Sequence, residues 1–103
     1  MWAQLITTRI KSGGDEQLQR LFQQLRDAEQ PDSGLVRTSV MRDQADASSL
    51  SILVVFESEE KARARENDPR RADALAAIRA TMAEVFDAPP SFTNMTVIEE
   101  FTP

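Results

Sequence analysis

Histidine, cysteine and tyrosine are absent from all 103 residues, and there is a single tryptophan. Without His and Cys there is no Cys–His or Ser–His–Asp nucleophile and no imidazole or thiolate metal site. Without Tyr there is no phenolic acid or base, and the usual haem-iron ligands His, Cys and Tyr are all missing. Disulfides are excluded outright. No apolar run approaches the roughly 20 residues of a membrane span, and the N-terminus shows no basic segment followed by an apolar one. The expectation is a cytoplasmic protein with no membrane partner. No phosphate-binding loop, dinucleotide fingerprint, paired-carboxylate motif or metal-ligand spacing occurs, so no metal and no cofactor are expected.

Basic charge in excess is also lacking. The net charge is −5, which argues against nucleic acid, because neutralising phosphates supplies most of that affinity. Arg63, Arg65, Arg70 and Arg71 cluster, but Glu57, Glu59, Glu60, Glu66 and Asp68 lie among them. That interleaving reads as a solvated helix face. The apolar content of 41% and the length of 103 residues fit one globular domain, residues 1–103.

What is present is organised around the stretch from Ser49 to Phe56, an apolar, β-branched run free of Gly and Pro. It reads as a strand with Leu50, Ile52, Val54 and Phe56 on one face and Leu53 and Val55 on the other. A strand apolar on both faces belongs in the middle of a sheet. Residues 1–11 read as a first strand with Trp2, Gln4, Ile6, Thr8 and Ile10 on one face. A helix follows, with Asp15 as its expected N-cap, a stripe of Leu18, Leu21, Phe22 and Leu25, and Pro31 as its stop. Residues 35–43 alternate imperfectly and are polar enough for an edge strand. After the organising strand, Ser58 is expected to cap a short helix that Asn67-Asp68-Pro69 interrupts. A second piece carries Ala72, Leu75, Ile78, Met82, Val85 and Phe86 at helical spacing. A last strand is expected from residue 91 to about 101.

The order is βαββαβ, with the second helix broken. Right-handed crossovers put both helical elements on one face of a four-stranded antiparallel sheet, an α+β, ferredoxin-like fold. Leu53 and Val55 then fall on the face without helices, which is too apolar for water, so a sheet-to-sheet homodimer is expected.

The junction Leu53-Val54-Val55-Phe56-Glu57-Ser58-Glu59-Glu60-Lys61-Ala62, the helix break at Asn67-Asp68-Pro69 and the terminal Thr96-Val97-Ile98-Glu99 resemble the dimeric α+β barrel superfamily. Within it they resemble the antibiotic biosynthesis monooxygenase-like domains. The chain departs from the oxygenases of that family at Phe56, where they often have Trp. It departs from the haem-degrading members at Arg65 and Glu66, in the neighbourhood where those carry a His. Quinone-forming relatives hold their substrate with Trp, Asn and Tyr; here Trp2 is the sole Trp, Asn67 and Asn94 are the only Asn residues, and Tyr is missing.

The candidate catalytic residues are therefore Trp2, which could stack on an aromatic substrate, Asn94, which could bind a carbonyl, Arg9, a cation on a central strand, and Glu57, a carboxylate at a strand end. Phe56, Met82 and Phe86 are expected to line a pocket between sheet and helices. The functional expectation is a non-catalytic domain that binds a small apolar or aromatic ligand or serves as an interaction module. The alternative is a cofactor-independent monooxygenase acting on a small oxidisable aromatic. A closed space beside Phe56 and Met82 would favour the first, an open pocket with converging polar groups the second.

Overall fold

A computed structural model describes residues 1–103. Its elements are β1 (Trp2–Arg9), α1 (Asp15–Ala28), β2 (Leu35–Arg42), β3 (Ser49–Phe56), α2 (Glu59–Glu66), a 3-10 turn (Pro69–Arg71), α3 (Ala72–Val85) and β4 (Ser91–Thr96). The sheet order is β2-β3-β1-β4 and every pairing is antiparallel. The polar β2 is at one edge and the doubly apolar β3 is inside, as the patterns require. β2 carries a bulge between Leu35 and Arg37. Just before it, Gly34 (φ +80°) accepts the Glu57 N–H through its carbonyl, and a Cβ there would meet the Lys61 side chain at 2.6 Å.

The caps explain the helix boundaries. Ser58 Oγ accepts the Lys61 N–H at 3.2 Å and starts α2. Proline pushes the residue before it out of the helical region and has no N–H to continue the ladder, so Asp68 is extended (φ −71°, ψ 115°) and α2 stops. Asp68 Oδ1 then accepts the Arg70 N–H at 2.9 Å and opens the turn into α3. Asp15 differs from expectation. It is the first helical residue and Gly14 is the cap, without a side-chain bond. The Asp15 carboxylate instead meets Arg42 at 3.2 Å while its charge favours the helix N-terminus.

The last strand is also shorter than expected, ending at Thr96. Trp2 pairs with Thr96, so beyond it β1 offers only the Met1 carbonyl, which accepts the Val97 N–H at 3.1 Å. With no strand left to pair, the chain leaves the sheet. Glu100 reaches Arg37 of β2 at 3.9 Å, so the terminal segment crosses the outer face over the row Ala3–Val55–Arg37. That crossing accounts for the burial of Ala3 and Val55 on a face that carries no helix.

The helices lie on the other face, and the interior there is split. One apolar cluster joins Ile10 and Leu50 to Leu18, Leu21, Ala28, Ile78, Val85 and Phe86. A second joins Trp2, Ile52, Val54, Phe56 and Ala62, with Ile6 and Leu35 against it. A fully packed domain of this size ordinarily has one contiguous core. No helix is long and apolar enough to cross a membrane.

Candidate functional site

Between the two clusters lies a partly open cavity of about 1190 Å³. Its floor is the helix-side face of the sheet: Trp2, Gln4 and Ile6 from β1, Ile52, Val54 and Phe56 from β3, and Thr38 and Val40 from β2. Its roof is the stripe Phe22 and Leu25 of α1 with Leu75, Ile78 and Met82 of α3. The amphipathic stripes expected to fill a core thus cover it at one end and stand off the sheet at the other.

The standing-off end carries aromatics and guanidinium groups together. The Trp2 and Phe56 rings lie 6.0 Å apart at 48°. Arg63 sits 5.3 Å over the Trp2 ring and Arg65 5.3 Å over the Phe56 ring, both within cation–π range. Arg65 donates Nε and Nη2 to the Glu29 carboxylate, the Nη2 bond at 2.6 Å. Burial would raise the Glu29 pKa, but the bonds from Arg65 and Ser33 and the charges of Arg65 and Arg71 outweigh it and lower the pKa. Arg71 is buried, donating Nε to the Ala28 carbonyl and Nη1 to the Arg65 carbonyl, each at 3.4 Å. Desolvation, then the neighbouring Arg65 charge, lower its pKa, though a guanidinium stays charged.

Trp2, Phe56, Met82 and Phe86 border this cavity. Asn94 is on the same sheet face and accepts a hydrogen bond from the cavity-lining Gln4 at 3.1 Å. Arg9 is elsewhere, with Asp46 at 2.8 Å and Ser48 at 2.5 Å. The Ser48 hydroxyl, then Arg9, hold the Asp46 carboxyl down to about 2. Glu57 is exposed and ion-paired to Lys61. Leu53 is half-exposed on the outer face, whereas its neighbour on that face, Val55, is 1% exposed within the single chain.

Glu29 and Arg71 were not singled out from the sequence. Glu29 carried no signal, since its role depends on Arg65, which is distant in sequence. Arg71 did carry one: it precedes Leu75, Ile78 and Met82 at helical spacing, so it continues the apolar stripe backwards.

The sequence profile of the family described as antibiotic biosynthesis monooxygenase matches residues 1–77. No curated protein sequence matches the chain. Among solved structures, a variant of SnoaB, a cofactor-independent oxygenase from Streptomyces nogalater, is similar with 16% identity and a TM-score of 0.72, covering 99% of this chain and 97% of that one. A MhuD variant with two manganese protoporphyrin IX bound per active site is 18% identical with a TM-score of 0.75, each chain covered over 100%. Rv0793 from Mycobacterium tuberculosis is 14% identical with a TM-score of 0.73, each covered over 98%.

Proposed function

Because the chain belongs to the antibiotic biosynthesis monooxygenase family, we propose that its cavity binds a small, flat, largely apolar aromatic molecule. One observation carries this reading: a cavity of about 1190 Å³ separates two apolar clusters and is walled by Trp2, Phe56, Ile52 and Met82. Pockets for small ligands have this make-up, a mostly apolar wall with a few placed polar groups. Calorimetric titration with fused-ring aromatics tests it. Saturable binding at one site per chain is expected, and heats of dilution alone would refute it.

A second reading, catalysis, is favoured by the polar groups that converge on the same space. Gln4, held by Asn94 behind it, could stabilise an oxyanion on the bound ring. The oxygenase reaction would convert a ring CH2 to C=O with O2, one oxygen atom entering the product and the other leaving as water. The deprotonated substrate supplies the electrons. The protein supplies orientation and a dry site. The cavity holds no free base, since Glu29 is committed to Arg65 and Glu66 to Arg63. Turnover is therefore limited to substrates that are themselves acidic. Oxygen uptake with anthrone or dihydroxynaphthalene checks this.

Haem does not fit. Its usual protein ligands are absent from the chain, and the softest donor in the wall is Met82, a residue that ordinarily completes an iron already held by His. The outer sheet face supports a homodimer as part of the same proposal. Leu5 and Leu53 are half-exposed there, Met41 is 45% exposed, and Ile98 and Phe101 of the terminal segment are 95% and 89% exposed. A second copy would cover them.

A further inference from the structure

The cavity wall has a charge imbalance. Arg26, Arg65, Arg71 and Arg79 line it against Glu29 and Glu66, in a chain whose net charge is −5. At the standing-off end Arg65 grips Glu29, and Arg70 beside it grips Asp68 and Asp32. Arg26 and Arg79 make no ion pair but are exposed to water. Arg71 differs from all of these. It is 3% exposed and makes no ion pair, and Glu29 and Asp68 act on it only through space. Its protein contacts are the two 3.4 Å bonds to the Ala28 and Arg65 carbonyls, at the long end of useful hydrogen bonds. A guanidinium has five N–H donors. The donors left over have no protein acceptor, and they are not sealed in, since Arg71 borders the cavity.

A buried charge without a partner is costly, and interiors rarely keep one unless something pairs with it. As a strut for the carbonyl ends of α1 and α2, Arg71 would need only those two bonds. A neutral donor would supply them without burying a charge. The carbonyls instead fix the guanidinium in place through the partial negative charge of the helix ends and leave a planar fork at the cavity. The same end of the cavity holds the Phe56 ring beneath Arg65.

We propose that Arg71 is the anion anchor of the cavity, and that the ligand is a flat aromatic body bearing a carboxylate. This rests on the reading that the cavity takes an aromatic molecule. The apolar floor and roof hold the rings, and Arg71 accepts the carboxylate on its unpaired N–H groups. The imbalance of Arg over Glu in the wall draws the anion in, against the net charge of the chain.

Two fluorescent probes of equal shape test it: anthracene-2-carboxylate and the neutral 2-(hydroxymethyl)anthracene, titrated at one fixed ionic strength. Wild-type protein is expected to bind the carboxylate at least about tenfold more tightly, the size of one charge-assisted hydrogen bond. Arg71→Met is expected to erase that preference by weakening the carboxylate far more than the alcohol; continued saturable binding of the alcohol also shows that the cavity is intact. Equal affinities in the wild type, or a preference that survives Arg71→Met, overturn the inference while leaving the aromatic site standing. If the variant does not fold, the wild-type ratio alone decides. Failure of both probes to bind overturns the aromatic reading itself and this inference with it.

Discussion

Arg65 on α2 reaches back to Glu29, the residue that ends α1, and closes a two-pronged ion pair with Nη2–Oε2 at 2.6 Å. The side chains are 17% and 22% exposed, so this pair is shielded from solvent in a way the chain's other ion pairs are not. It ties α2 to α1 at the standing-off end of the cavity, where apolar packing is thinnest, and it sets Arg65 over Phe56.

Glu29→Gln is therefore expected to cost about 1–3 kcal/mol, because it leaves the Arg65 charge partly unpaired. The Glu29 pKa is lowered in the fold, so its contribution is fully present above the ordinary carboxyl value of 4.5. It is lost as pH falls through the depressed value. Chemical denaturation of wild type and variant should converge in acid and separate above it; a gap that stays constant with pH would contradict the role given to the pair.

The split interior predicts unequal costs of truncation. Leu18 is buried in the cluster that closes one end and does not border the cavity. Leu18→Ala should cost about 2–5 kcal/mol. Ile6 is half-buried and already faces open space. Ile6→Ala should cost less than half as much, because it removes fewer packed contacts. Equal losses in thermal unfolding would mean that the cavity is filled in solution.

Most of the fold was legible in the sequence. The period-two apolar run of β3, the stripe Leu18, Leu21 and Phe22, and the Asp68-Pro69 break each act through local rules of sterics and burial, and each lies where those rules put it. The errors arose where a neighbour distant in sequence decides. Residues 97–101 have strand-like residues, but β1 runs out of backbone to pair with them. Val55 reads as an open apolar position until the terminal segment is laid across it. The same holds for the site. Phe56 and Met82 declared themselves by apolar spacing, while Arg71 was hidden in a run of charges most of whose other members are exposed. Arg9 and Glu57 have the right chemistry, but Asp46 and Lys61 claim them.

Association is tested best at Leu53, because Val55 is already covered within one chain. Leu53→Lys should leave the melting temperature of the isolated chain within a few degrees and abolish a dimer in sedimentation. A variant that sediments as the wild type does would remove the outer face from consideration as the interface.

The space between sheet and helices is the proposed ligand site, and Trp2 makes its occupancy directly measurable. It is the sole tryptophan and it lines the cavity. The neutral probe 2-(hydroxymethyl)anthracene absorbs where tryptophan emits. Titrated into the wild-type protein, it is predicted to quench Trp2 emission saturably at one equivalent per chain and to raise the melting temperature with concentration. Emission that falls only in proportion to added probe, with no saturation and no change in melting, would contradict the account.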